Sequence, residues 1–100
     1  MSADRVHRFI VAYDVASDAR RVRVATTLSS YGDRVQYSVF LVDMKPAKLV
    51  RLRAAVVAHL DLVTDSVLVC NLGPLGKDDS ARIEVIGAAR RFTGQGPMIF

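Results

Sequence analysis

The hydrophobic pattern begins with a strand whose apolar residues follow one another without polar alternation. The run from Arg8 to Asp14 is Arg-Phe-Ile-Val-Ala-Tyr-Asp, so an apolar strand ends in an acid. A continuously apolar strand needs cover on both of its faces. Because a chain of 100 residues rarely supplies helices for both faces of a sheet, we expect a second subunit to cover one of them.

The spacing of apolar residues then becomes helical. Apolar residues recur at intervals of three and four, which predicts a helix over residues 17–31. Ser17 or Asp18 is suited to cap its first turn, and Gly32 is suited to follow its last residue. The apolar stripe of this helix consists of Val24, Ala25, Leu28 and Tyr31.

A β-rich stretch from Asp33 to Asp43 follows the first helix. It is either one long bent strand or two short ones, because no glycine or proline marks a turn inside it. Residues of a strand alternate between its two faces, so one face of this stretch is partly polar. That face carries Arg34, Gln36, Ser38 and Phe40.

The order of the elements predicts the fold. A second helix begins near Pro46, and strands follow over 66–71 and 81–86. This order is typical of an α+β, ferredoxin-like βαββαβ domain with an extra C-terminal strand. We expect an antiparallel sheet covered by two helices on one face, and a homodimer that forms through the sheet. Residues 1–86 form the domain, and residues 87–100 form a tail that is flexible or docks on a partner subunit.

Charge and composition narrow the class of partner. The net charge is +4, the pI is about 9.7, and eleven of the fourteen basic residues are arginine, whose planar fork matches phosphate. Nucleic acid is therefore the expected partner, and charge that only keeps the domain soluble is the alternative. No apolar run approaches the roughly 18–20 residues that span a bilayer, so no membrane partner is expected. The only cysteine, Cys70, is expected to be a buried thiol in a cytoplasmic protein.

Four arginines are candidates for binding nucleic acid. Arg20, Arg21 and Arg23 lie in the first two turns of the first helix, where they oppose the helix dipole. Their positive charge near the start of the helix is unfavourable, and a bound anion would offset this cost. The alternative is that these arginines only form a solvated helix face. Arg34, on the partly polar strand face, is the fourth candidate.

Asp14 is the strongest candidate for chemistry. It lies where the apolar strand stops and the arginine-rich helix begins, and an acid among basic groups suits an Mg²⁺ ion that meets phosphate. The alternative is a turn residue that accepts hydrogen bonds from the N–H groups of the helix. A single carboxylate per chain supplies few ligands for a catalytic metal ion, so we expect two copies of Asp14 to face each other across a dimer axis.

Two aromatic residues near these groups have two interpretations each. Tyr13 is either a plain core residue or a contact for phosphate or a base. Phe40, on the partly polar strand face, is suited either to stack on a base or to pack against a neighbouring subunit.

The motifs of the chain resemble those of the CRISPR-associated protein 2 family. The second signature of that family is similar to the run from Asp33 to Phe40, and its later strand begins with a segment similar to Asp65-Ser66-Val67. The resemblance covers roughly residues 8–71. The first signature corresponds here to Tyr13-Asp14-Val15, Ser17-Asp18, Arg20-Arg21, Val24-Ala25, Leu28 and Tyr31-Gly32.

The resemblance implies a ferredoxin-like homodimer with a divalent-metal nuclease site, for Mg²⁺ or Mn²⁺, at the subunit interface. It also implies a function in spacer acquisition, in which the dimer bridges two CRISPR integrase dimers and holds the incoming DNA. By motif, Asp14 corresponds to the metal-binding aspartate. The positions that affect nuclease activity correspond to Tyr13, Arg20 or Arg21, Arg34 and Phe40. RNA and DNA both remain possible substrates, and the alternatives to this nuclease are a non-catalytic DNA-binding adaptor and a toxin-like ribonuclease.

Overall fold

The structure is a computed structural model that describes residues 5–76 and 83–88. A short 3₁₀ turn, Pro46–Lys48, leads into the second helix and has proline at its first position, where the missing N–H costs nothing. No helix of the described chain is long and apolar enough to cross a membrane. The strands and helices are β1 His7–Asp14, α1 Asp18–Ser29, β2 Asp33–Gln36, β3 Val39–Met44, α2 Leu49–Val57 and β4 Ser66–Pro74.

The four strands form one antiparallel sheet in the order β2-β3-β1-β4. This is the strand order of the ferredoxin-like fold. Alternate residues of β1 from His7 to Tyr13 are buried, and the apolar ones pack with both helices in a single core. The predicted α+β class and the two helices on one face of the sheet are therefore confirmed. The largest fully buried side chains of this core are those of Phe9, Phe40, Leu28 and Leu52.

The opposite face of the sheet has only partial cover, and we call it the open face. Ile10 is at its centre, paired with Leu41 on one side and with Cys70 on the other. Leu68, beside them, is 64% exposed. The helices thus cover one face of β1. Because β1 is apolar on both faces, its other face is suited to contact a second subunit, and that contact stays a prediction. The open face comprises Ile10, Ala12, Asp14, Val39, Leu41, Leu68 and Cys70.

Two predictions near the open face are wrong. Residues 83–86, the described part of the predicted C-terminal strand, form no strand. Ile83 packs instead against Val35 and Leu41, and a segment that contacts the face of a sheet has no ladder partner for its backbone. The Cys70 thiol is exposed on β4 and not buried. Residues 81 and 82 of that strand and 89–100 of the predicted tail lie outside the described residues.

The β-rich stretch consists of two short strands joined by a tight turn at Tyr37 and Ser38. Gln36 pairs with Val39, and the register shifts between Arg34 and Gln36. Such a shift inserts an extra residue into one strand and redirects the side chains beyond it. The turn contains no residue in the left-handed conformation, which is why neither glycine nor asparagine marks it in the sequence.

Gly32 has a different function from the one that its position suggests. Helix α1 ends at Ser29, two residues earlier than predicted, and Gly32 does not have a positive φ. A Cβ atom at this position would overlap the Leu41 carbonyl oxygen and lie 2.9 Å from the Val42 Cα. Glycine is required because the chain lies too close to the β3 backbone for a Cβ atom, and not because the helix needs a left-handed residue to end.

Candidate functional site

Asp14 ends β1 on the open face with an exposed side chain. Two other side chains satisfy the backbone around the start of α1. The Arg20 N–H donates to Ser17 Oγ at 3.3 Å, and the Ala16 N–H donates to Asp65 Oδ1 at 2.9 Å. The interpretation of Asp14 as the acceptor of this turn is therefore wrong. Within the described residues its carboxylate has no hydrogen-bond or ion-pair partner, so the fold itself does not use it.

A divalent cation fits Asp14 only as one half of a site. The described residues contain no group of three or more His, Cys, Asp or Glu side chains that could hold a metal ion. Mg²⁺ takes several of its six oxygen ligands from water and phosphate, so one or two carboxylates are sufficient. An exposed carboxylate without a partner matches that requirement, and the second carboxylate, from another copy of the chain, stays a prediction.

Arg20 is held by a buried acid to which sequence analysis assigned no function. Its Nε donates to Asp65 Oδ2 at 2.7 Å, and its Nη2 donates to Asp65 Oδ1 at 3.1 Å. The Asp65 carboxylate is fully buried and also accepts the backbone N–H groups of Ala16 and Asp61. The hydrogen bond from Arg20 lowers the pKa of Asp65 far below its ordinary value against the opposing effect of burial, and the backbone N–H groups lower it further. The pair is therefore charged at neutral pH.

This ion pair contradicts the prediction that Arg20 clamps phosphate. The Nε–Nη2 edge of the guanidinium, which could bind an anion bidentately, already meets Asp65, and this pair ties the start of α1 to the loop between α2 and β4. In the sequence, Asp65 stands out only as part of the Asp65-Ser66-Val67 motif. No local pattern could pair two residues that are 45 positions apart.

Asp65 should make the stability of the protein depend on acidic pH. Because its folded-state pKa is lowered, its contribution to the free energy of unfolding is complete above the ordinary value of 3.8 and is lost as the pH falls from there toward the lowered value. We expect wild type to melt at a higher temperature than Asp65→Asn at neutral pH, with a difference that shrinks below about pH 4. Circular dichroism melting of both proteins measures this difference, and a difference independent of pH would contradict it.

Arg21 lies on a different side of α1 from Arg20. Its Nη1 donates to the Val15 carbonyl oxygen at 2.6 Å, and its Nη2 forms an ion pair with Asp18. The Asp18 side chain is 92% exposed, so this is a surface pair of little strength. The structure thereby separates the two adjacent arginines: Arg20 pairs with a buried acid, whereas the acid that pairs with Arg21 is exposed.

A cleft of about 320 Å³ lies between α1 and the β2–β3 hairpin, and we call it the hairpin cleft. It is open to solvent on the helix-covered side of the sheet. One wall is the side of α1 that carries Arg21, and the other includes the end of β1 and the hairpin. Its lining includes Tyr13, Asp18, Arg21, Thr26, Arg34 and Tyr37.

Tyr13 and Arg34 form a hydrogen-bonded chain at one wall of this cleft. Arg34 Nη2 donates to the Tyr13 hydroxyl at 3.0 Å, and that hydroxyl donates to the Tyr37 carbonyl oxygen at 3.2 Å. The Tyr13 ring is in the core and 6% exposed. Tyr13 is therefore a core residue whose hydroxyl hydrogen-bonds Arg34, and its interpretation as a contact for phosphate or a base stays a prediction.

Phe40 is fully buried by its own chain, so it neither stacks on a base nor packs against another subunit. It lies on the helix-covered face beside Tyr13, with ring centroids 6.3 Å apart. The Arg34 guanidinium carbon is 5.4 Å from the Phe40 ring centroid and 5.4 Å from that of Tyr37. Phe40 thus supports Arg34 from the core side. The exposed aromatic residue of this hairpin is Tyr37, at 65%, which sequence analysis missed because strand alternation does not show which face the helices cover.

The structure brings together only some of the predicted residues. Tyr13, Arg21 and Arg34 line the hairpin cleft. Asp14 is on the open face, because consecutive residues of a strand point to opposite sides of the sheet. Arg23 is exposed on α1 and does not line the cleft. The predicted site therefore consists of two parts, a carboxylate on one side of the sheet and a basic cleft on the other.

The fold and these two parts define a small ferredoxin-like domain with an exposed acid at the end of its first strand and a basic cleft on the opposite side of the sheet. The chain belongs to the CRISPR associated protein Cas2 family, whose model matches residues 7–80. The match includes Asp14 and every residue that lines the hairpin cleft. The resemblance of the sequence motifs is therefore confirmed as membership of the family.

Relatives with assigned names agree with this membership. The protein named CRISPR-associated endoribonuclease Cas2 1 of Rhodospirillum rubrum is 34% identical over 83 residues, which are 83% of this chain and 80% of that protein. The protein named CRISPR-associated endonuclease Cas2 2 of Thermus thermophilus is 37% identical over 79 residues, which are 79% of this chain and 80% of that protein.

Two solved structures share the fold. The crystal structure of Streptococcus pyogenes Cas2 at pH 6.5 matches this chain with a TM-score of 0.67 and 33% identity. The match covers 80% of this chain and 99% of that chain. The crystal structure of a hypothetical protein from Thermus thermophilus matches this chain with a TM-score of 0.71 and 34% identity. The match covers 87% of this chain and 98% of that chain. The strand order described above is thus shared with a Cas2 structure.

Proposed function

We propose that this protein is a metal-dependent endonuclease of CRISPR adaptive immunity that hydrolyses phosphodiester bonds in RNA or DNA. It acts in the cytoplasm as a homodimer and takes part in spacer acquisition with the CRISPR integrase. The observation that carries the proposal is Asp14, an exposed carboxylate without a hydrogen-bond or ion-pair partner among the described residues. The names of the relatives, endoribonuclease and endonuclease, support the same class of reaction.

The proposed dimer forms through the open face. Ile10 and Leu68 present apolar surface on this face; Ile10 is partly buried and Leu68 is 64% exposed. Burial of such side chains against a second copy is favourable, by about 25 cal/mol for each Å² of apolar surface. Asp14 is at the end of the same face, so a dimer that buries it brings one Asp14 from each copy to the interface.

The paired Asp14 carboxylates would hold one Mg²⁺ or Mn²⁺ ion, with water and substrate phosphate completing its coordination. When bound, such an ion lowers the pKa of a water ligand and offsets negative charge on the scissile phosphate. The residues of the hairpin cleft act on the substrate backbone. Arg21 exchanges Asp18 for a phosphate oxygen, and Arg34, held by Tyr13, presents its remaining N–H groups to a second phosphate.

A cleavage assay with controlled metal content tests the proposed function. End-labelled single-stranded RNA, single-stranded DNA and duplex DNA are each incubated with protein stripped of metal by EDTA and then supplied with Mg²⁺, Mn²⁺ or Ca²⁺. We expect cleavage of at least one substrate to appear with Mg²⁺ or Mn²⁺ and to be absent with EDTA. Cleavage that persists in EDTA would contradict metal dependence, and absence of cleavage with every metal would contradict the nuclease.

A DNA-binding adaptor without catalytic activity is the second candidate function. The net charge of +4 favours it, because electrostatic binding of DNA needs no metal site. An adaptor would still support spacer acquisition in cells with Asp14→Asn and would fail with the charge reversal Arg21→Glu. The nuclease proposal predicts cleavage in the metal-controlled assay, whereas the adaptor proposal predicts none.

A further inference from the structure

Tyr37 is an exposed aromatic ring at the rim of the hairpin cleft. Its side chain is 65% exposed at the tip of the β2–β3 hairpin, although tyrosine buries a large apolar ring when a partner is available. The Arg34 guanidinium carbon lies 5.4 Å from the centroid of this ring. The ring thus contacts a cation and exposes most of its remaining surface to solvent. An exposed ring of this kind is suited to stack on another flat group.

The hairpin tip that carries Tyr37 is held in place by contacts to the core. The Tyr13 hydroxyl donates to the Tyr37 carbonyl oxygen, and the Tyr13 backbone N–H donates to the Ser38 carbonyl oxygen at 3.1 Å. Arg34 lies between the Tyr37 and Phe40 rings and is bound to the Tyr13 hydroxyl. A surface that is positioned before the ligand arrives loses less conformational entropy on binding.

Arg34 also has N–H donors at this place that lack an acceptor among the described residues. Its Nε is buried and has no acceptor among the described residues. A guanidinium has five N–H donors, and the described contacts use one of them. A buried donor without a partner needs an explanation, such as an anion or water that completes the site. Arg34 is therefore suited to bind an anion close to the Tyr37 ring.

The combination of an exposed ring and an arginine in one cleft fits a nucleotide with a free base face. Stacking on an aromatic side chain recognises any base, but it requires a base that is not already stacked in a duplex. Arg34 and Arg21, which line the same cleft, match the phosphate that follows such a base. A simple anion would use the arginines and leave the ring exposed.

We propose that Tyr37 stacks on an unpaired base of a single-stranded nucleic acid, with the neighbouring phosphate bound by Arg34 in the hairpin cleft. This subsite is complete within one chain, and it lies on the side of the sheet opposite to Asp14. The inference rests on the proposed function to the extent that nucleic acid is the ligand, but it does not require cleavage. It assigns the stacking function to Tyr37, in place of the buried Phe40.

Binding of two oligonucleotides to three proteins tests this subsite. The probes are a fluorescein-labelled eight-nucleotide oligodeoxythymidine and a fully abasic strand with the same number of phosphates. The proteins are wild type, Tyr37→Leu, which keeps an apolar side chain without a ring, and Tyr37→Phe, which keeps the ring. Anisotropy is measured in EDTA at low salt, so that no cleavage contributes. Since the side chain is exposed, circular dichroism should show the same thermal midpoint for all three proteins within about 2 °C.

We expect wild type and Tyr37→Phe to bind oligodeoxythymidine about five- to tenfold more tightly than the abasic strand. Tyr37→Leu should lose most of this preference by weakening only the strand that has bases. The proposal is overturned if wild type shows no preference for bases, or if Tyr37→Leu weakens both strands equally. Loss of the preference in Arg34→Lys, with its charge kept but its planar fork removed, would add support for a positioned ring.

The outcome is separable from that of the proposed function. Base preference that depends on Tyr37, together with an absence of metal-dependent cleavage, supports the subsite and rejects the nuclease. Metal-dependent cleavage that is lost in Asp14→Asn, together with an absence of base preference, rejects the subsite and supports the nuclease. The first result comes from binding in EDTA and the second from cleavage with Mg²⁺, so neither can imitate the other.

Discussion

The substitution Asp14→Asn is expected to remove most of the Mg²⁺-dependent cleavage while leaving the fold intact. Asparagine has nearly the same shape, but its neutral amide is a weaker ligand for a hard cation. Loss of a group that only supports a metal ligand lowers metal affinity or activity about 10–100-fold. Loss of the ligand itself, in both copies of a dimer, should therefore cost about 100-fold or more. The thermal midpoint should change little, because the Asp14 carboxylate has no partner among the described residues.

Asp43→Asn is the matched control for this substitution. Asp43 is an exposed acid of β3 that pairs in register with Arg8, so the control removes the same charge from the same face of the sheet. We expect it to retain cleavage within about threefold of wild type, because Asp43 pairs with Arg8, at the opposite end of β1 from Asp14. Equal losses in both variants would assign the effect to net charge. If Asp14→Asn cleaves as fast as wild type, catalysis through this carboxylate is wrong.

The substitutions Arg20→Ala and Arg21→Ala are expected to separate folding from binding. Arg20→Ala leaves the buried Asp65 carboxylate without its charged partner, which is strongly destabilising. For a domain of this size we expect the thermal midpoint to fall by about 10 °C or more. Arg21→Ala removes an exposed ion pair with Asp18 and a hydrogen bond to the Val15 carbonyl, so its midpoint should fall by only a few degrees, about 2–5 °C.

The order of the two effects reverses in binding. At a temperature where both variants are folded, Arg21→Ala should weaken oligonucleotide binding by about fivefold, because it removes a charged phosphate donor from the cleft. Arg20→Ala should bind within about twofold of wild type. Circular dichroism and fluorescence anisotropy of the same samples measure the two quantities. Equal midpoints, or a larger loss of binding in Arg20→Ala, would contradict the division of functions between these neighbours.

Local patterns were sufficient to predict most of the elements. The continuous apolar run of β1 and the helical spacing of α1 are each visible within a few residues, and their order predicts the ferredoxin-like arrangement. Asp14 is visible in the same way, as an acid that ends an apolar run. The turn at Tyr37 and Ser38 was not predictable, because it uses no left-handed residue that would mark it. The strand predicted over 81–86 does not form at 83–86, because a β-rich pattern does not show whether a sheet edge is available to it.

The sequence by itself therefore determined the family, the order of the strands and helices, and the acid at the end of β1. Only the tertiary structure decided which basic and aromatic side chains remain available. A helix turns by about 100° for each residue, so adjacent arginines meet different surroundings. Arg20 reaches Asp65, whereas Arg21 reaches the hairpin cleft. The helices cover the Phe40 side of the sheet and leave Tyr37 exposed, because burial depends on what packs opposite a side chain and not on its neighbours along the chain.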